Sequence, residues 1–198
     1  MSKAVMLSIR PKWVEKIANG KKTIEVRKTK PKLETPFKCY IYCTRDKHLA
    51  FMQNQTGTNL IACMDVDAAI PVGGAIGNGK VIGEFVCDCV TPLYNVCMDD
   101  WKRLSGGLHN IEKELVNQAC LTEAKLHTYA GGKNCFAWHI SDLRIYDTPK
   151  ELSEFKTLCR VDADCCACPY YNYTKMDCDG RVIGRPPQSW CYVDDANA

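Results

Sequence analysis

Short apolar or alternating runs separated by brief helical repeats predict an α+β fold, and a change of composition after Cys159 predicts that one compact domain is followed by a cysteine-rich appendage. At 198 residues and 46% hydrophobic content, the chain can bury a core without disulfides. The domain is expected over residues 1–147 and the appendage over 148–198. No apolar run is long enough to span a membrane, and the charged first thirty residues lack the apolar core of a signal peptide. A cytoplasmic location with reduced thiols and no membrane partner is therefore expected.

Ala4 to Ile9 reads as a buried strand. Pro11 suits the first position of a helix, where a missing N–H costs nothing, and Trp13, Val14, Ile17 and Ala18 recur at helical spacing. Gly20 fits a left-handed stop, releasing the chain into a strand from Thr23 to Arg27. Alternation puts Thr23, Glu25 and Arg27 on one face and Ile24 and Val26 on the other, with Lys22 free to swing toward the first. Lys22, Glu25 and Arg27 then offer donors, an acceptor and a fixed positive charge to one small polar ligand. The competing reading is an exposed cross-strand charge set behind a lysine-rich turn.

Phe37 to Cys43 alternates as a strand, with Phe37, Cys39, Ile41 and Cys43 on one side and Lys38, Tyr40 and Tyr42 on the other. The tyrosines either stack on bases or cover the sheet, the commoner use. Thr44 to Gly79 reads as irregular, ending in a glycine-rich loop. It is not a phosphate loop, because Gly79-Lys80 opens a strand rather than a helix. Residues 80–90 form a strand whose mid-strand carboxylate, Glu84, either faces a ligand or pairs with Lys22 or Arg27, the preferred reading. Helices are expected around Asp99 to Leu104, from Asn110 to Ala119, and from Thr122, as N-cap, to Ala130, with Gly131 as the stop. His48, His109 and His127 show no metal or triad spacing, and His139 reads as a hydrogen-bonded core group in a late strand. No hydrolase signature appears, and nothing calls for an organic cofactor.

Thr148-Pro149-Lys150-Glu151 has the form of a capping box opening a short helix through Phe155. Six of the fourteen cysteines follow between 159 and 191 in a stretch poor in aliphatic residues, which therefore needs a staple. In a reducing compartment that staple is zinc, held by Cys159, Cys165, Cys168 and Cys178, with Cys191 in reserve and Cys166 free. Such a zinc is structural, because four thiolates leave no open position. A set of unpaired thiols is the alternative. Trp190, Tyr192 and Val193 are expected to dock the tail back onto the domain.

The net charge of +3 is too small to argue nucleic-acid binding, but nine Lys and Arg residues lie between 10 and 32 against Glu15 and Glu25. This local surplus would attract phosphates with salt-dependent affinity.

Leu7-Ser8-Ile9-Arg10-Pro11 through Gly20-Lys21-Lys22-Thr23-Ile24-Glu25-Val26-Arg27 closely resembles the amino-terminal signature of ASCH domains, members of the PUA-like group, whose motif reads GxKxxExR. Gly79 to Val86 and Phe136 to Ser141 look like that family's central and late strands, so the resemblance spans about residues 4–147. It implies a small β-barrel with flanking helices and an RNA or nucleotide-like ligand held in a cleft beside the motif, whose residues carry over as Gly20, Lys22, Glu25 and Arg27; Ser8 and Arg10 are expected to line the same cleft. One branch of the family deacetylates acetylated cytidine with a lysine of this motif and a threonine three residues on. Lys22 matches the lysine, whereas Glu25 stands where the threonine would be. The leading expectation is RNA or modified-nucleotide binding. The alternatives are an amidohydrolase or ribonuclease using Lys22 and Glu25, with Glu84 a further candidate, and a protein-interaction module built on the cysteine-rich segment.

Overall fold

The structure is a computed structural model that describes residues 3–53, 59–63, 74–93, 110–158, 170–172, 174, 177–178 and 180–195. The chain opens with β1 (Lys3–Ile9), an apolar strand buried along most of its length. Helix α1 (Pro11–Ala18) follows with Pro11 at its start, buries Pro11, Val14 and Ile17, and is closed by Gly20 at φ +69°. The chain then enters β2 (Ile24–Arg27) and β3 (Phe37–Cys43). Because β1 and β3 pair in parallel, the chain must cross over between them, and α1 and β2 form that crossover. The charged motif therefore sits on a connection, outside the main sheet.

Next come β4 (Leu49–Gln53), β5 (Asn59–Cys63), β6 (Ala75–Ile76), β7 (Lys80–Cys87) and β8 (Val90–Leu93). Helices α2 (Asn110–Gln118) and α3 (Glu123–Ala130) lead to β9 (Cys135–His139) and β10 (Ser141–Glu151). Thr122 Oγ1 accepts the Lys125 N–H, and Gly131 closes α3 in the left-handed conformation at φ +58°. A 3-10 turn (Leu152–Glu154) and the short strands β11 (Lys156–Thr157), β12 (Tyr171–Asn172), β13 (Asp177–Cys178) and β14 (Arg181–Val182) precede β15 (Trp190–Asp194).

The main sheet has seven strands in the order β10-β7-β3-β1-β15-β11-β14, and its end strands do not pair with each other. The expected barrel is thus an open sheet among the described residues. Smaller sheets are β2-β9-β8, β5-β4-β6 and the hairpin β12-β13. One face of the main sheet packs Leu7, Ile41 and Phe85 against Val14 and Ile17 of α1 and against Trp138. The other face buries Met6, Tyr40, Tyr42, Phe155 and Val193. Ile24 and Val26 face a third cluster with Val116, Leu126 and Ala137, which fastens the crossover to α2 and α3. Each fully buried side chain of this size stabilises the fold by about 1.5–3 kcal/mol.

Two further expectations differ from the structure. Residues 44–79 are not simply irregular, since they supply β4, β5 and β6. The helix expected from Thr148 is instead the end of β10, because Lys150 and Glu151 pair with Val81 and Lys80 of β7. The capping box forms three residues later, between Glu151 and Glu154. Tyr40 and Tyr42 cover the sheet, the commoner of their two expected uses, and are buried rather than open to a stacking base. The tail returns to the domain, with β15 antiparallel to β1 from Lys3↔Asp194 to Leu7↔Trp190. The helix expected around Asp99 to Leu104 lies outside the described residues. No helix among the described residues is long and apolar enough to cross a membrane.

Candidate functional site

The turn after α1 delivers Lys22 inward, and β2 places Glu25 and Arg27 on the face opposite Ile24 and Val26. Neither face meets solvent: Lys22, Glu25 and Arg27 are only 3%, 7% and 7% exposed. The charges are therefore internal, not an exposed cross-strand set. Lys22 Nζ lies 3.3 Å from Glu25 Oε2, and Arg27 Nε lies 3.1 Å from Glu25 Oε1, so one carboxylate holds two cations.

Each cation also clamps a distant piece of main chain. Lys22 Nζ donates to Ile24 O at 2.7 Å and to Ala119 O at 2.9 Å, just past the C-terminus of α2, where a positive charge suits the helix dipole. Trp13 covers this ammonium, with its ring centre 5.4 Å from Nζ. Arg27 donates through one terminal nitrogen to Ser8 O at 2.8 Å and through the other to Ser189 O and Oγ at 3.2 and 3.3 Å. The segment before β15 thus lies across the joint. It is held there by Ser8 as well, whose Oγ donates to Pro187 O at 2.6 Å and whose N–H donates to Ser189 O at 3.0 Å.

Two buried donors on this face make no hydrogen bond. Arg27 Nε is close to Glu25 but poorly aligned, and Trp138 Nε1 has no acceptor. Trp138 is registered directly opposite Glu25 across β2 and β9 and so shares its face. Tyr129 of α3 stands alongside. Burial raises its hydroxyl above the usual range, with Arg27 opposing and Glu25 adding to the shift, so both act on it electrostatically.

The other expected site residues separate from this group. Arg10 is exposed at the start of α1 and helps hold the Asp46 carboxyl low, behind the larger effect of the His48 and Leu49 main-chain N–H groups. Glu84 does not pair with Lys22 or Arg27. It lies opposite Tyr40 in the main sheet and accepts from Tyr146 Oη at 2.7 Å. Burial, then hydrogen bonds to Glu84 and Asp195 respectively, push the Tyr146 and Tyr40 hydroxyls well up, so both stay protonated. His139 is not buried: its side chain is 44% exposed, and Nδ1 lies 2.6 Å from Asp88 Oδ1, a bond that is the first cause holding the Asp88 carboxyl low.

Of the expected zinc ligands, Cys159, Cys165 and Cys168 lie outside the described residues, as does Cys166. Cys178 ends β13. Cys191 carries a free thiol within β15, pushed by burial to about 11. Among the described residues no group of three or more candidate ligands comes together.

Sequence reasoning missed Ser189, Trp138 and Tyr129 as members of the site. Ser189 is 162 positions from Arg27, and no local pattern connects them.

The ASCH domain family model matches residues 7–104, so the chain carries an ASCH domain over that stretch. Among solved structures, ASCH from Zymomonas mobilis is similar over 97% of this chain and 88% of its own, at 19% identity and a TM-score of 0.50. Two single-substitution variants of that protein also match over 97% of this chain: one at 18% identity, covering 91% of its own length, and one at 19%, covering 89%, each with a TM-score of 0.49. At this identity the likeness concerns the fold alone. No curated protein matches the chain.

Proposed function

We propose that this chain binds RNA or a modified nucleotide beside the Lys22–Glu25–Arg27 joint, with Ser8 at the rim. The observation that carries the reading is the buried Trp138 Nε1, a donor with no acceptor, on the face that also carries Glu25 and the Arg27 ion-paired to it. A donor next to a carboxylate complements a base edge that presents a carbonyl oxygen and an N–H together. The ASCH domain and the basic surplus between residues 10 and 32 support the same ligand class.

Turnover has less support. The three N–H directions of the Lys22 ammonium go to Ile24 O, Ala119 O and Glu25, the geometry of a donor rather than of a base. The test is equilibrium binding to a panel of modified nucleosides and short RNAs, with products followed by mass spectrometry. The expected outcome is saturable binding without product, weakened about two- to tenfold in Trp138→Phe, which keeps the ring and removes the N–H. Product formation abolished by Lys22→Met would replace binding with hydrolysis, and the absence of both would overturn the reading.

A further inference from the structure

The segment that leaves the joint immediately after Arg27 carries Lys28, Lys30 and Lys32, all exposed and separated by single residues. Each meets an aromatic side chain from a different element. Lys28 Nζ lies 5.3 Å from the ring centre of Tyr129 on α3, and Lys30 Nζ lies 5.8 Å from that of Phe136 on β9. The Lys32 main-chain N–H donates to Tyr192 Oη of β15 at 2.7 Å. Trp190 Nε1 pins the loop by donating to Thr29 Oγ1 at 2.9 Å. Residues from α3, β9 and β15 thus converge on one short basic loop.

A merely solvated turn needs lysines but no rings beneath them. Tyr129 is 39% exposed, one of the few large hydrophobic side chains left open among the described residues. Its neighbour Lys28 supplies charge at the ring, and between residues 28 and 36 the sole acidic residue is Glu34. Alternating cations around one open ring match a polyanion whose bases are also accessible, because stacking satisfies the ring while the lysines take phosphates. A duplex hides its base faces, so the complement is a single strand.

We infer that residues 28–32, with Tyr129 and Phe136, form a track for single-stranded RNA: phosphates lie along Lys28 and Lys30, and a base stacks on Tyr129. This inference rests on the nucleic-acid reading above and deepens it by naming the strand type and the path.

The test uses the full chain and a fluorescent, unstructured RNA of about 12 nucleotides, with affinity read by anisotropy from ~50 to ~300 mM salt. The variants are Lys28→Gln with Lys30→Gln, Tyr129→Ala and Tyr129→Phe, and the competitors are duplex RNA of equal length and heparin. The double lysine variant is expected to flatten the dependence of log affinity on log salt by about 1.4, at about 0.7 per lost phosphate contact. Tyr129→Ala is expected to weaken binding about fivefold or more, with Tyr129→Phe restoring it. Duplex RNA should compete poorly. Wild-type binding whose affinity and slope are the same in every variant would overturn the track and leave the RNA reading standing. Equal competition by heparin with no effect of Tyr129→Ala would also overturn it, and a wild-type protein that binds no RNA would overturn both.

Discussion

Glu25 carries more than its own residue's share of the molecule. Its carboxylate is the shared counter-charge of Lys22 and Arg27, and through them it ties β2 to the end of α2, to β1 and to the segment leading into β15. Glu25→Gln keeps the shape and removes the charge, leaving two buried cations without their shared counter-charge. We expect it to lower the unfolding free energy by about 3–5 kcal/mol in urea titrations. Glu84→Gln, whose side chain answers mainly to the Tyr146 hydroxyl, should cost less than about 1.5 kcal/mol in the same measurement. Equal losses would mean that the joint is no more critical than an ordinary polar contact.

At the scale of elements, β3 and β7 line one face of the main sheet with Cys39, Cys43 and Cys87. Burial is the leading cause that raises all three thiols, Cys43 and Cys87 to about 12. Unfolded thiols ionise near about 8.5. Because the folded values lie above the unfolded ones, the stability they contribute is complete below that pH and is lost as the pH climbs toward 12. Under reducing conditions the thermal midpoint should fall steadily between about pH 9 and 12, and a midpoint flat across that window would contradict the burial of these thiols. Elements with local signals were legible in the sequence: α1 between Pro11 and Gly20, α3 between Thr122 and Gly131, and β3 from its alternation. Elements decided by distant pairing were not. The residues around Thr148 satisfy a helix-start pattern, yet strand pairing with β7 outweighs it. Lys22, Glu25 and Arg27 could be grouped from spacing, but not their burial, because Ala119 and Ser189 stand 97 and 162 positions from the cations they receive. Glu84 was misassigned for the same reason, its partner Tyr146 being 62 positions away.

For the whole molecule, the parallel pairing of β1 with β3 forces a crossover, and the crossover carries both the buried joint and the basic loop that follows it. The sheet thus supplies the rigid base, the joint fixes the direction in which the loop leaves, and β15 pins the loop from the far end of the chain. A net charge of +3 says little about this, whereas the concentration of lysine and arginine between residues 10 and 32 is the local charge on which the proposed polyanion site rests. The most direct measurement is photo-crosslinking of the full chain to a short single-stranded RNA containing thiouridine, followed by peptide mapping. The account predicts crosslinks in peptides that contain residues 28–32 and Tyr129. Crosslinks confined to the cysteine-rich segment around 159–182, with residues 28–32 and Tyr129 unlabelled, would contradict it.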